Sequence, residues 1–318
     1  CSNPSTHSQE IANLIGDDRG SWLRQGLKSN GHMLDFIGVR RAYFHATARR
    51  LVFMELPPED NPEGMCGRLN KALYGTRDAA QNWEHAYIEF LENLDFKTGV
   101  ATPCMFWHKL RDVRIVVHGD DFIVLASEEQ LNWFRGRISE GVDGEFRGRL
   151  GPNPNDDKAV RILNRVVSWD AEGIKYEPDQ RHAEIIIQQL GLAGKKTAAT
   201  PGVKPANEKD EEGDDEPLDP AHTTKYRALT ARGNYLGQDR SDIRFSVKEL
   251  SRRMAKPKKR DWRRLVRLGK YLVGKERFIN EFSYQRECKF IDVWTDTDYA
   301  GCRETRKSTS GGLIMLGK

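Results

Sequence analysis

Cysteine is scarce in this chain, and what there is falls in no useful pattern: Cys1, Cys66, Cys104, Cys288 and Cys302 are odd in number, far apart and form no Cys-x-x-Cys pair. That argues against both a zinc module and a disulfide framework, and a reducing compartment fits better. Long apolar runs are missing too. No stretch approaches the roughly 18 residues of a membrane span, and the opening residues lack the basic-then-apolar order of a secretory signal. A protein that is neither secreted nor anchored in a membrane is expected. Nor does one sign of charge dominate, since 51 Lys and Arg against 47 Asp and Glu leave a net +4. That balance does not by itself imply a polyanion partner, so the distribution of charge must decide. No internal repeat is evident.

What is present suits about two domains. The chain starts at Cys1 and stops at Lys318 directly after an apolar strand-like run, and we expect a piece of a longer polypeptide. Residues 1–33 are polar and weakly patterned. From Met33 to Phe53 the residues read as strand, turn and strand ("MLDFIGVRRAYF", then "RRLVFMELP"). Trp83, Tyr87, Phe90, Leu91 and Leu94 recur at helical offsets and predict a helix over 78–95. A strand pair is expected at "VRILNRVVSW" and "GIKYEP", and a helix over 181–191. The acidic run from Glu208 to Pro220 has Leu218 as its only large apolar residue and reads as a linker. Residues 223–274 are helical in pattern and carry the most basic stretch, ten Lys or Arg between Arg252 and Lys270. The end reads as strand, polar turn and strand.

One stretch raises a chemical question. In "VRIVVHGDDFIVLAS" (113–127) two adjacent carboxylates, Asp120 and Asp121, sit between two runs of strand-forming residues. A tight hairpin is predicted. Two like charges at the end of an apolar strand are expensive unless a divalent metal neutralises them, so metal binding explains the pair. An isolated Gly-Asp-Asp is also common in solvated turns, and context must separate the two readings.

The context is an ordered set of motifs. "GVRRAYF" (38–44), "ALYGTRDAAQNW" (72–83), "ATPCMFWHK" (101–109) and "HGDD" (118–121), taken together, resemble the reverse transcriptase of copia-type LTR retrotransposon polyproteins. Downstream, "YRALTARGNYLGQDRSDIRFSVKELSRRMAKP" resembles that family's connection, and "WTDTDYAGCRETRKSTSGG" the opening of its RNase H domain. The resemblance implies an α+β fold: a right-hand polymerase palm and fingers with an antiparallel sheet and flanking helices (34–192), an acidic linker (193–222), a helical connection (223–280) and an incomplete RNase H-like part (281–318). It also implies Mg²⁺ (or Mn²⁺), a template-primer of RNA or DNA, deoxynucleoside triphosphates, and residence in a cytoplasmic virus-like particle or the nucleus. By the same matching, Asp120 and Asp121 are the catalytic and metal-binding carboxylates. Tyr43 takes the place of the side chain that excludes a ribose 2′-hydroxyl, with Ala42 beside the nucleotide's sugar. Gly75 and Arg77 lie where the second motif meets the incoming nucleotide and template. Trp83 is expected in the core. Asp296 matches the first RNase H metal ligand, with the chain stopping before that family's remaining carboxylates, and Asp298 reads as a turn residue.

One departure matters most. Gly38 stands where the family has its first catalytic Asp, and glycine offers no ligand. Asp35, three residues earlier in the same strand, would face the other way and lie roughly 10 Å off at ~3.3 Å per residue, so it is no substitute unless a bulge shifts the register. Ala80 in place of a usual Pro, and His118-Gly119 in place of Tyr-Val, weigh less. A strongly impaired polymerase is the expectation. The alternatives are a remnant that binds nucleic acid without catalysis and, with less support, a nucleotide cyclase with a Gly-Gly-Asp-Glu-Phe-like hairpin. The basic stretch from Arg252 to Lys270 reads equally as a track for phosphates or as a solvated helix face, and His32 and His182 have no telling ligand spacing.

Overall fold

The computed structural model describes residues 32–60, 64–203, 216–283, 290–302 and 305–316. The entry segment up to residue 31 and residues 208–215 of the acidic run lie outside the described residues. Strand β1 (His32–Val39) is buried along its whole length, which is why its sequence reads as a nearly unbroken apolar run. The strand expected to continue to residue 44 stops at Val39. Arg41 takes φ +51°, which no strand tolerates, and Ala42–His45 close into a 3-10 turn. "RRLVFMELP" yields only the short strand β2 (Phe53–Glu55), paired with β3 (Cys66–Arg68). Neither has a fully buried face on which a longer strand would rest.

Helix α1 (Ala79–Asn93) buries Trp83, Tyr87 and Leu91, the stripe its spacing predicted. Strands β4 (Lys97–Thr98), β5 (Met105–His108), β6 (Val113–His118) and β7 (Asp121–Ser127) follow, then helix α2 (Glu128–Gly141) and strand β8 (Gly144–Leu150). The six strands other than β2 and β3 form one antiparallel sheet in the order β4-β5-β6-β7-β1-β8. Trp83, Tyr87 and Leu91 of α1 and Leu131, Phe134 and Ile138 of α2 share an apolar cluster with Ile37, Ile115, Phe122 and Val124. Both helices therefore cover the sheet face bearing the odd residues of β1. Its even residues, Gly38 among them, face the other way.

A second set of strands begins with β9 (Ala159–Ile162) and β10 (Arg165–Trp169). "VRILNRVVSW" is thus two strands, because Leu163 and Asn164 take φ +48° and +63° and reverse the chain between them. Strand β11 (Gly173–Glu177), helices α3 (Arg181–Gln189), α4 (Pro220–Asp239), α5 (Ser241–Ser251) and α6 (Lys259–Val273), and strand β12 (Asn280–Ser283) complete it, with sheet order β12-β11-β10-β9. Ile186 and Ile187 of α3 pack with Tyr226, Leu236, Val247, Leu265 and Leu268 of the three longer helices. Inside this group Asp239 accepts from the Tyr176 hydroxyl at 2.9 Å and from Arg165 Nε at 3.0 Å, all three buried. The chain divides into two compact units, the described residues up to 160 with 169–174 and those from 282 onward in one, and 161–168 with 175–281 in the other. At the end, β13 (Ile291–Thr297) and β14 (Ser310–Leu316) pair antiparallel. The architecture is mixed α and β with antiparallel sheets, as expected.

Candidate functional site

The hairpin that opened the chemical question is real. Antiparallel β6 and β7 are closed by the pair His118 and Asp121, leaving Gly119 and Asp120 as a two-residue loop. Gly119 takes φ +62°, a conformation glycine adopts without strain and that tight hairpins need at their first loop position. Asp120 is exposed at the tip, and its carbonyl accepts from Val39 N–H at 2.8 Å, tying the loop to the end of β1. Asp121 is 6% exposed.

The register across β1 settles which residues share a face. Gly38 is the direct partner of Asp121 on one side and of Glu145 on the other. Residues directly opposite in antiparallel strands present side chains to the same face. Position 38 is therefore flanked by two carboxylates and supplies none itself. Asp35 is no replacement. The pairing of β1 with β7 runs unbroken from His32 to Gly38, so no shift brings Asp35 round. Its fully buried carboxylate is held bidentate by Arg135 (2.6 and 3.0 Å) and again by Arg149 (2.7 and 2.9 Å). It is a structural anion with both oxygens taken.

There is a bulge, on the other strand. Phe36 pairs with Gly148 but Ile37 pairs with Phe146, which leaves Arg147 as an extra residue in β8. In a regular strand Arg147 would share the face of Arg149, where Asp35 lies. The bulge re-aims it. Its Nη1 lies 2.6 Å from Asp121 Oδ1 and its Nη2 4.0 Å from Asp120 Oδ2. Glu145 pairs instead with Arg40 at 3.0 Å, an exposed contact that holds its carboxyl below the usual range. Burial pushes the Asp121 carboxyl up to about 6, with Arg147 opposing the rise and Asp120 adding to it.

The divalent ion implied by the resemblance does not fit this donor set. Two-ion centres need carboxylates able to bridge ions about 3.5–4 Å apart. Here position 38 offers no ligand, a guanidinium sits against Asp120 and Asp121, and among the described residues no group of three or more His, Cys, Asp or Glu is placed to hold a metal. The absence of a side chain at position 38 is legible in the sequence; the contact of Arg147 with Asp121 is not. The one local sign was Gly148 inside a strand, which often marks a bulge.

The remaining candidates divide. Ala42 is fully buried, and Tyr43 is half-buried, its ring stacked on Tyr74 at 4.3 Å between centroids. Gly75 takes φ +92° and is exposed, as is Arg77. Trp83 is in the core, yet it also reaches the hairpin: its Nε1 donates to the Gly119 carbonyl at 2.7 Å. Asp296 lies exposed on β13 opposite Gly311. Asp298 accepts from Thr309 N–H, the turn role expected of it. Helix α6 turns Leu265, Leu268 and Leu272 inward, with Lys259 and Arg263 exposed. His182 sits against Asp179 and the Tyr235 ring, and burial holds its imidazole below the ordinary value.

Comparison with known proteins adds an independent line. Residues 27–204, more than half of the chain, match the family described as reverse transcriptase (RNA-dependent DNA polymerase). The chain is similar to the Retrovirus-related Pol polyprotein from transposon RE2 of Arabidopsis thaliana, 23% identical over 290 residues that cover 88% of this chain and 19% of that protein. The corresponding polyprotein from transposon RE1 of the same plant gives the same identity and coverage. That from transposon TNT 1-94 of Nicotiana tabacum is 22% identical over 291 residues, 88% of this chain and 21% of its own length. The chain thus spans about a fifth of the length of these relatives.

Proposed function

The chain belongs to the reverse transcriptase (RNA-dependent DNA polymerase) family, and from that footing we propose that it is the fingers-and-palm part of a copia-type polymerase, followed by connection and RNase H-like segments, with nucleotidyl transfer silenced at position 38. The copia-type likeness of its motifs agrees with the retrotransposon polyproteins it matches. On this reading the sheet of β1 and β4–β8 is the palm, and the β6–β7 hairpin carries the family's two adjacent carboxylates. Tyr43 flanks the nucleotide sugar, the fully buried Ala42 belongs to the core against which Tyr43 packs, and Gly75 and Arg77 meet the nucleotide and template. Residues 34–192, 223–280 and 281–318 are polymerase, connection and an RNase H-like part, in which Asp296 takes the place of that family's first metal ligand. The compartment that follows is a virus-like particle in the cytoplasm, or the nucleus.

The single observation that carries the silencing is the pairing of Gly38 with Asp121. A carboxylate at position 38 would point to the same face as Asp121 from the adjacent strand; glycine leaves that face one acid short. Reverse transcriptases generally use divalent metals, and the acids present here do not fit that requirement, so no catalytic step is derived through a metal. What this chain's residues support is the binding of nucleic acid. Arg263 of α6 and Arg77 before α1 are exposed cations that attract phosphates, an interaction that weakens with added salt, while the exposed Lys259 is paired with Glu216. The cyclase alternative loses its footing once the family is known.

Fluorescence anisotropy with a labelled RNA-DNA template-primer tests the reading. Binding at low salt that falls steeply as salt rises, with no more extension than an Asp120→Asn protein gives, is the expected result. No binding at low salt would overturn it.

A further inference from the structure

We propose that Arg147 is a tethered cation standing in the place of a divalent metal, and that Gly38 and Arg147 form an interdependent pair that closes the hairpin site to metal. The inference rests on reading the Asp120–Asp121 hairpin as the family's carboxylate centre.

Three observations converge on it. The first is charge. Two adjacent carboxylates, one of them buried, need a counter-ion, and the Arg147 guanidinium supplies it at 2.6 Å from Asp121 and 4.0 Å from Asp120. The second is space. Gly38 does not adopt a positive φ, so its backbone makes no demand for glycine. A Cβ built there would lie 2.6 Å from both Cζ and Nε of Arg147 and closer still to Nη2. The absent side chain is what makes room for the guanidinium. The third is the bulge, without which Arg147 would point toward the opposite face.

Glycine and arginine thus each depend on the other. A side chain at 38 would displace the guanidinium, and loss of the guanidinium would leave Asp120 and Asp121 without their cation. A divalent ion held by these two carboxylates would sit beside the positive charge of the guanidinium, and repulsion at such short range lowers its affinity. The guanidinium is the far end of a flexible, partly exposed side chain, so Asp at 38 could push it aside. It would then pair with Arg147 as readily as with a metal. Restoring the acid alone is therefore a partial repair.

The test uses the full chain and Mn²⁺ as probe, with the free ion followed by electron paramagnetic resonance. Four proteins are compared: the chain as it stands, Gly38→Asp, Arg147→Gln and the double variant. Arg147→Gln keeps most of the side-chain stem and so protects the fold. The double variant should bind Mn²⁺ at least about tenfold more tightly than Gly38→Asp, with the unaltered chain weakest of all. Thermal melting supplies a second readout. The unaltered chain should melt alike in EDTA and in Mg²⁺, whereas Arg147→Gln should melt lower in EDTA and recover in Mg²⁺. Equal affinity of Gly38→Asp and the double variant, or Mn²⁺ binding by the unaltered chain as tight as that of the double variant, would overturn the proposal. If Asp120→Asn in the double background leaves the affinity unchanged, the ion is bound elsewhere, and the reading of the hairpin falls with it.

Discussion

Trp83 Nε1 donates a hydrogen bond to the Gly119 carbonyl at 2.7 Å, so the core of helix α1 is fastened directly to the loop that presents Asp120 and Asp121. The indole is buried and packs edge-on against Tyr87 and Phe122. A side chain that fills the core thus also fixes the turn.

Trp83→Phe keeps most of the packing and removes the donor. The Gly119 carbonyl then loses its partner, and unfolding free energy should drop by about 1–2 kcal/mol in urea denaturation. An unchanged midpoint and slope would mean the bond contributes nothing.

Asp35→Ala should be far more damaging. It strands Arg135 and Arg149 beside a fully buried position, and removing one partner of a buried ion cluster costs about 3–5 kcal/mol. Asp35→Asn keeps the shape but not the charge and should fall between. Neither change should alter Mn²⁺ binding in the Gly38→Asp background; a marked loss of affinity there would make Asp35 a ligand after all.

His32 and His108 respond to pH in a defined direction. Burial is the largest influence on each and lowers its imidazole below the ordinary 6.5. The unfolded chain therefore takes up protons near that value while the folded chain does not. Their contribution to stability is full above pH 6.5 and is lost as pH falls below it toward the depressed folded values. Proton NMR should show both rings titrating below 6.5, and a midpoint at or above it for either would contradict the burial argument.

Arg263→Gln on α6 should weaken template-primer binding equally for all sequences and reduce the slope of log affinity against log salt by about 1. A change that depends on template sequence, or an unchanged slope, would remove α6 from the phosphate track.

Legibility in the sequence followed the reach of local pattern. The stripe of Trp83, Tyr87 and Leu91, the Gly119 hairpin and the helices beyond residue 220 were all readable, because each depends on neighbours a few residues away. The reading of Gly38 as the place of a lost acid comes from its position in an ordered motif that resembles the family's, not from the structure. Strand ends were less so: Arg41, Leu163 and Asn164 adopt positive φ, and nothing about an arginine or a leucine announces that. Arg147 lay furthest from view. Its role depends on one extra residue in β8 and on which strand lies beside β1, 109 positions away in the chain as counted from Gly38. Apart from Gly148, whose place inside a strand hints at the bulge, no local pattern carries that information.

The most direct test of the account is Mg²⁺-dependent addition of a single nucleotide to a primer on an RNA template, comparing the chain as it stands with the Gly38→Asp, Arg147→Gln double variant. Negligible addition by the unaltered chain is expected, with a gain of roughly 10³-fold or more in the double variant that Asp120→Asn abolishes again. Extension by the unaltered chain that Asp120→Asn eliminates would contradict it, because another group would then be completing the site that Gly38 leaves open.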